Sequence, residues 1–200
     1  MPFTLAVMGA FLLGSVPTGY LLTRALKGID IRGHGSGNPG ATNVFRVVGK
    51  GAGILTLAID ILKGWAPVFL ATRLFPGDRV LASFVALAAI AGHNWTPFLM
   101  FRGGKGVATS IGAFLALVPG PAGIAIGCFA ACFLITRIVS LSSLAGAAAL
   151  VVSTALLTRS IFLSSLTAFC ALLVFILHKK NISRLLHGEE PKLELRKKNG

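Results

Sequence analysis

The chain has 200 residues, of which 54% are hydrophobic and only 12% are charged. Several near-continuous apolar runs approach the roughly 20 residues that a helix needs to cross a bilayer, so the composition excludes an ordinary soluble protein. In a soluble protein, a net charge of +13 would suggest a nucleic-acid partner. In a membrane protein, the distribution of Lys and Arg first indicates which ends of the helices face the cytoplasm. We therefore expect a polytopic membrane protein with no nucleic-acid partner.

Seven apolar runs are each predicted to form a transmembrane helix, in a single all-α domain covering residues 1–200. The first run follows no Lys or Arg, so we expect a span that stays in the protein and not a secretory signal peptide. The sequence VPGP, which breaks a helix, separates the fourth and fifth runs. Two short spans joined by a tight turn are favoured there over one re-entrant element. The runs cover residues 3–22, 51–72, 80–101, 106–118, 122–136, 138–158 and 160–177.

The basic residues predict the orientation of these seven helices. If the N-terminus is outside, only Arg73, Arg79 and Arg159 fall on the outer side, and Lys63 lies within a helix. All the other Lys and Arg residues, of 19 in total, then fall on one face. Because Lys and Arg accumulate in cytoplasmic loops, we expect the N-terminus outside and the C-terminus in the cytoplasm.

The longest predicted cytoplasmic connection, residues 24–50, contains the sequence GIDIRGHGSGNPGATNVFR. Its glycines allow the backbone to turn consecutive N–H groups inward and form an anion-binding nest. Ser36, Thr42 and Asn43 add side-chain donors, and Arg46 adds a planar fork that suits phosphate. This composition favours a phosphate-binding loop over a flexible linker.

The second cytoplasmic connection is FRGGKG, which leads directly into the fourth predicted helix. We expect Gly103 and Gly104 to offer free N–H groups where the helix dipole favours an anion, with Lys105 supplying a full positive charge. The sequence lacks the other residues of a Walker A loop. Taken alone, it is equally typical of a basic anchor on the cytoplasmic side.

The third polar segment, HKKNISRLLHGEEPK, follows the last apolar run. His178 and Asn181 recur at helical spacing, so both side chains can face the same way. The alternative is a basic cluster attracted to anionic lipid, which is the interpretation favoured for Lys179 and Lys180.

The types of residue that are missing narrow the chemistry. The six carboxylates are too scattered for a magnesium cluster, and there is no GxSxG, HExxH or His-x4-Asp motif. The substrate is therefore expected to arrive activated, with no metal and no cofactor. Asp60 and Lys63, three residues apart in the second helix, are interpreted as a structural ion pair rather than a functional one. His93 and Asn94 are possible supports for the site.

Three motifs together, SGNPGATNVFR, GHNWTPFLMFRGGKGVAT and HKKNISRLLHGEEPK, resemble those of the bacterial acyl-phosphate-dependent glycerol-3-phosphate acyltransferases. They occur in order, and the resemblance covers essentially the whole chain. It implies seven membrane helices, and transfer of a fatty acyl group from acyl phosphate to glycerol 3-phosphate. The products would be lysophosphatidic acid and phosphate. The resemblance also implies an inner (plasma) membrane protein in contact with lipid, with its site on the cytoplasmic side, and we expect a monomer.

Resemblance and chemistry together suggest which residues bind each substrate. Both substrates carry phosphate, and an acyl phosphate has a good leaving group, so the glycerol hydroxyl can attack it directly without an acyl-enzyme. The proton acceptor is either His178 or a substrate phosphate oxygen.

A phosphate-ester transporter is the alternative function, but the candidate residues crowd one face and no internal repeat is visible. The residues expected to hold glycerol 3-phosphate and the reacting centre are Ser36, Arg46, Lys105, His178 and Asn181, and those for acyl phosphate are Thr42, Asn43, Gly103 and Gly104.

Overall fold

The structure, a computed structural model, describes residues 2–194 and is built from helices without any strand in that part of the chain. The chain divides into two compact units, one ending at Pro119 and the other beginning at Gly120. The single-domain organisation stays a prediction. Three basic residues assigned to the cytoplasmic tail, Arg196, Lys197 and Lys198, lie outside the described residues.

The helices follow one another along the chain, with two longer connections after Lys27 and after Asn94. In the first unit they are α1 (Pro2–Ser15), α2 (Thr18–Lys27), α3 (Ala41–Val47), α4 (Lys50–Leu74), α5 (Arg79–Asn94) and α6 (Val107–Leu117). Short 3-10 turns occupy Ile31–Gly33 and Pro97–Leu99. The remaining helices are α7 (Pro119–Thr136), α8 (Val139–Thr158), α9 (Ile161–Leu177) and α10 (Lys179–Leu186).

All seven predicted apolar runs are helical, but three boundaries differ from the prediction. The first run is interrupted before Pro17, which has no N–H to continue the helix, and then extends as α2 to Lys27. The third run ends early, at Asn94, because Pro97 opens a 3-10 turn. Pro119 and Pro121, predicted to form a turn, instead begin α7, since proline is tolerated in the first turn of a helix.

The all-α membrane class is confirmed, whereas the number of spans is not. Among residues 2–194, four segments are long and apolar enough to cross a bilayer: Phe3–Lys27, which joins α1 and α2, and the helices α4, α7 and α8. The pair α9 and α10, bent by 64°, would make a fifth, and α6 is a shorter apolar helix. Seven spans and the orientation of the termini stay predictions.

Glycines bring the helices of the first unit into close contact. A Cβ atom on Gly64 of α4 would collide with the carbonyl oxygen of Thr109, and one on Gly112 of α6 would collide with that of Ile61. The crossing of α1 and α5 uses Gly14 in the same way. Small residues allow this backbone approach where no hydrophobic effect drives helices together in lipid.

The interruption between α1 and α2 leaves carbonyl groups that side chains satisfy. Thr96 Oγ1 donates to Ser15 O (2.6 Å), and Lys63 Nζ donates to Val16 O (2.8 Å). Non-helical backbone at membrane depth is tolerated where protein groups or a cavity supply such partners. The break is therefore a stable part of the fold.

In the second unit, α8 packs along α9, and Gly146 of α8 faces Phe129 and the Ala125 carbonyl of α7. At His178 the chain turns from α9 into α10. The C-terminal segment then returns toward α8, where Leu193 N donates to Arg137 O (2.8 Å). This bond holds the segment after α10 beside the start of α8.

Candidate functional site

The loop between α2 and α3 is shaped by a single buried amide. Asn43, 2% exposed, accepts a hydrogen bond from Ser36 N at Oδ1 (2.9 Å) and donates from Nδ2 to His34 O (2.9 Å). Gly35 and Gly37 have positive φ angles of 60° and 71°, which side chains rarely adopt. The amide oxygen and the amide nitrogen of Asn43 thus both bond to the backbone of the loop. A direct contact of Asn43 with substrate stays a prediction.

The other predicted binding residues of this loop surround that amide. Thr42 is half-buried in the first turn of α3, while Ser36 and Arg46 are exposed. The bond from Ser36 N to Asn43 brings Ser36 to the start of α3. The loop rests on α2, where a Cβ atom on Gly19 would collide with the Pro39 carbonyl. The structure therefore places the Ser36 hydroxyl on a loop of fixed shape and the Arg46 guanidinium on the helix that follows it.

A second arginine in the same loop has a structural partner. Arg32 Nη2 lies 2.7 Å from Asp30 Oδ2, its Nε contacts both carboxylate oxygens at 3.1 Å, and its guanidinium lies 5.6 Å from the Tyr20 ring centre. Side-chain and backbone hydrogen bonds from Arg32 lower the pKa of the Asp30 carboxyl below its usual value. Asp30 and Arg32 therefore both stay charged at neutral pH, and their ion pair holds the first residues of the loop in place.

The second loop is fixed to the end of α5. Gly103 N donates to Asn94 O (3.1 Å), and Gly104 N donates to His93 O (3.0 Å). A Cβ atom on Gly103 would collide with the His93 carbonyl, and one on Gly104 would collide with the His93 ring. The expectation that these glycines offer free N–H groups is wrong, because both groups bond to α5. Their absent side chains allow the close approach, and a contact with substrate stays a prediction.

The N-terminus of α6 follows this loop directly. Gly106 precedes the helix with a φ of 76°, and the first bond of the helix runs from Ser110 N to Gly106 O (2.7 Å). The N–H groups of Val107 to Thr109 lie ahead of that bond and have no acceptor within the helix. Lys105, half-buried, stands immediately before them. The helix dipole and the positive charge of Lys105 both favour an anion at this position.

In the second unit, His178 has a defined ring orientation. It is 3% exposed, and its Nδ1 lies 2.8 Å from Val174 O. Because a carbonyl oxygen only accepts, Nδ1 carries the proton of the neutral ring, which leaves Nε2 as the basic nitrogen. A neutral ring in this tautomer can accept a proton only at Nε2.

Asn181 belongs to a hydrogen-bonded cluster around Glu190, a residue that the sequence analysis missed. Glu190 Oε1 accepts from Asn181 Nδ2 (2.6 Å) and Ser140 Oγ (2.7 Å), and Oε2 accepts from Arg184 Nε (2.7 Å). Burial raises the pKa of the Glu190 carboxyl, but the bonds from Asn181, Ser140 and Arg184 outweigh it and lower the pKa below its usual value. Asn181 and Arg184, three residues apart, share one face of α10, and the acidic residues that follow the helix were the only sequence signal for a partner.

Within residues 2–194, no group of three or more His, Cys, Asp and Glu side chains is arranged to hold a metal ion.

The fold defines a class of protein: an all-helical integral membrane protein with two polar loops, the second of which leads into a helix N-terminus. A model of the family "Glycerol-3-phosphate acyltransferase" matches residues 4–188. The chain belongs to the glycerol-3-phosphate acyltransferase family.

Individual relatives agree with that membership. The chain is 43% identical over 196 residues to a glycerol-3-phosphate acyltransferase of Endomicrobium trichonymphae, covering 97% of each chain. It is 46% identical over 188 residues to one of Trichlorobacter lovleyi, covering 94% of this chain and 96% of the relative. A crystal structure of PlsY (YgiH), an integral membrane glycerol 3-phosphate acyltransferase in its glycerol 3-phosphate form, superposes with a TM-score of 0.92 at 35% identity. That superposition covers 97% of this chain and 96% of PlsY. The lysophosphatidic acid form of PlsY gives 0.89 at 34% identity, with the same coverage.

Proposed function

We propose that this protein transfers a fatty acyl group from acyl phosphate to the 1-hydroxyl of glycerol 3-phosphate, giving lysophosphatidic acid and phosphate. The observation that carries the proposal is the family match over residues 4–188. Solved structures of PlsY in glycerol 3-phosphate and lysophosphatidic acid forms support it, because lysophosphatidic acid is glycerol 3-phosphate with one acyl group added. The reaction would be an early acylation in phospholipid synthesis.

The proposed binding of glycerol 3-phosphate uses cations and donors from both loops. Arg46 offers a planar fork to a phosphate, and Ser36 offers a hydroxyl on a loop that Asn43 holds in shape. Lys105 adds its charge at the N-terminus of α6. His178 and Asn181 are proposed to act on the acceptor at the reacting centre.

The acyl phosphate is proposed to contact Thr42 and Asn43 and the segment that contains Gly103 and Gly104. Because the N–H groups of these two glycines bond to α5, their contribution is a close approach of ligand to backbone. The nearby N–H groups at the start of α6 would supply the donors. The apolar helices would accommodate the acyl chain.

The proposed chemistry is a direct acyl transfer. The 1-hydroxyl oxygen of glycerol 3-phosphate forms a bond to the acyl carbon, and the bond between that carbon and the phosphate oxygen breaks. Phosphate leaves with the bonding electrons, and the hydroxyl proton passes to His178 Nε2 or to a phosphate oxygen. Donors near the carbonyl stabilise the developing negative charge, so no acyl-enzyme, metal or cofactor takes part.

We further propose a monomer of one domain with seven spans, its N-terminus outside and its C-terminus in the cytoplasm. The bias of Lys and Arg toward one face supports this topology. The enzyme would lie in the inner (plasma) membrane, with both polar loops on the cytoplasmic side, where they meet the soluble acceptor, glycerol 3-phosphate.

The test is an acylation assay with purified protein in detergent micelles, using labelled glycerol 3-phosphate as acceptor. Palmitoyl phosphate and palmitoyl-CoA are compared as donors, and glycerol, which lacks the phosphate, serves as the control acceptor. We expect lysophosphatidic acid only from palmitoyl phosphate and glycerol 3-phosphate, at a rate that chelator does not change. Acylation from the thioester alone, or strict dependence on added magnesium, would contradict the proposal.

A further inference from the structure

Three ionisable side chains form a buried cluster in the first unit, behind the second loop. Asp60 and Lys63 of α4 are 2% and 4% exposed, and His93 of α5 is 9% exposed. Lys63 Nζ lies 2.8 Å from Asp60 Oδ1, and His93 Nδ1 lies 3.8 Å from the same oxygen. Lys63 also donates to Val16 O at the break between α1 and α2. The cluster thus links three helical segments.

The hydrogen bonding of this cluster is incomplete. Apart from its ion pair with Lys63 and the longer contact with His93, Asp60 Oδ1 accepts no further hydrogen bond among the described residues. A buried ion pair recovers its desolvation cost only when geometry is excellent and further bonds satisfy it. Fold stability alone is therefore a poor explanation of why these charges are buried.

The cluster lines a small cleft that reaches both polar loops of the unit. The cleft encloses about 220 Å³ of empty space, including its open mouth. Besides the three ionisable residues, Thr18, Pro39 and Gly104 contribute to its wall. Pro39 belongs to the first loop and Gly104 to the second, so the cluster stands where the two loops meet.

His93 connects this cluster to the second loop. Its carbonyl accepts the Gly104 N–H (3.0 Å), and a Cβ atom on Gly104 would collide with its ring at Nε2. Nδ1, on the other side of the ring, faces Asp60. In addition Gly64, the neighbour of Lys63, packs against the Thr109 carbonyl in the first turn of α6. A displacement of the cluster would therefore shift the loop and the N-terminus of α6.

We infer that Asp60, Lys63 and His93 are positioning residues of the acyl-transfer site. They hold the segment from Gly103 to Lys105, and with it the N-terminus of α6, in the geometry that binds a substrate phosphate. Asp60 and Lys63 act through His93 and do not touch substrate. This inference rests on the proposed function, because it assigns the phosphate group of that reaction to the second loop.

The first test separates positioning from stability by neutralising the pair. Asp60→Asn and Lys63→Met alone each leave a buried charge without its partner, so both should lower the thermal unfolding midpoint in detergent. The double variant Asp60→Asn/Lys63→Met removes both charges and should recover the midpoint. Its kcat/KM for acyl transfer should nevertheless stay about 10- to 100-fold below wild type, with a raised KM for a phosphate substrate. Lys179→Met, on exposed α10, is the control for loss of a lysine.

The KM for the phosphate substrate distinguishes a positioning role of Asp60 and Lys63 from a purely structural role. A purely structural pair would reduce the fraction of folded enzyme and hence the apparent kcat, but the remaining folded enzyme would keep its KM. Wild-type kcat/KM in the double variant overturns the inference. If wild-type protein shows no acylation from acyl phosphate, the proposed function fails instead, so the two failures are distinguishable.

A second pair of variants tests the ring itself, in case the neutralised pair does not fold. His93→Asn keeps a polar atom near Nδ1 but removes the part of the ring beside Gly104, whereas His93→Gln keeps a polar atom near Nε2. We expect His93→Asn to raise the KM more than His93→Gln does. Gly104→Ala should be harmful in wild type yet add little to His93→Asn, because the shorter side chain leaves room for the methyl group. Fully additive effects, or a wild-type KM in His93→Asn, contradict the inference.

Discussion

Arg46 is the residue whose predicted role depends most on the chemistry of one side chain. It is exposed in the last turn of α3, beside the loop that Asn43 orders. The geometry of a guanidinium allows two parallel bonds to one phosphate, which a lysine ammonium cannot reproduce. Arg46→Lys therefore tests recognition of phosphate separately from net charge.

We expect Arg46→Lys to lose one charge-assisted hydrogen bond, worth about 1.5–3 kcal/mol, or about 10- to 150-fold in kcat/KM for glycerol 3-phosphate. The measurement is a steady-state titration of glycerol 3-phosphate at fixed acyl phosphate. Lys179→Arg and Lys180→Arg, on exposed positions of α10, should change little. Near-normal efficiency of Arg46→Lys would show that the first loop is not organised around that arginine.

Residue by residue, the sequence identified which side chains are polar and close to helix ends, but not which partners they take. Asn43 was predicted to contact substrate, yet its amide bonds to Ser36 N and His34 O. Gly103 and Gly104 were expected to offer N–H groups that in fact bond to α5. Partners of this kind depend on how segments come together in three dimensions, which spacing along the chain does not report.

At the scale of helices, glycine positions decide how closely α4 and α6 approach. Gly112→Ala should force these helices apart, because the new methyl group would collide with the Ile61 carbonyl. Overpacking of this kind costs about 1–3 kcal/mol, so the unfolding midpoint should fall by several degrees. Gly9→Ala in α1, where a Cβ atom meets no atom of the described residues within 4 Å, is the matched control and should be neutral or slightly stabilising. Equal midpoints for the two variants would refute the close crossing.

The stability of the second unit is predicted to depend on the charge of the Glu190 carboxylate, and therefore on pH. Since the folded-state pKa of Glu190 lies below its usual value, the carboxylate stabilises the fold at neutral pH. That contribution is lost as the pH falls below the ordinary glutamate value of about 4.3 and through the folded pKa. Glu190→Gln places an amide NH₂ against donors from Asn181, Ser140 or Arg184 and should lower the unfolding midpoint at pH 7.

The gap between the unfolding midpoints of wild type and Glu190→Gln should therefore stay constant near neutral pH and narrow as the pH is lowered from 7 to values below about 4.3. Thermal unfolding of both proteins across that range measures it, with Glu189→Gln, at an exposed neighbouring position, as the control. A gap that stays constant with pH would show that the carboxylate charge is not what stabilises α10.

For the whole molecule, composition predicted the membrane class and the helical content. The seven apolar runs that hydropathy located are all helical, because a bilayer requires long apolar segments whose backbone bonds are satisfied internally, whereas the polar helices α3 and α10 lie outside these runs. It misplaced the ends near Pro17, Pro97 and Pro119, where proline interrupts or begins a helix. Two compact units were not foreseen, since contact between helices leaves no periodic signal in uniformly apolar sequence.

The predicted orientation can be tested with single cysteines. In a background without Cys128, Cys132 and Cys170, cysteines at Gly33 and Arg102 should react with an impermeant thiol reagent only from the cytoplasmic side. Both positions are exposed at the edges of the polar loops. A cysteine at Gly77, in the connection between α4 and α5, should react only from outside. The reverse pattern would overturn the orientation inferred from Lys and Arg.

The central claim, direct acyl transfer from acyl phosphate, is tested most directly by a single turnover. Enzyme in excess is mixed with acyl-labelled palmitoyl phosphate and glycerol 3-phosphate, quenched at short intervals, and the label is followed in substrate, protein and lipid. We predict that label moves from acyl phosphate to lysophosphatidic acid in one phase, with an equal release of phosphate and none bound covalently to protein. Labelled protein that forms before lysophosphatidic acid and decays into it, or no lysophosphatidic acid at all, would contradict the account.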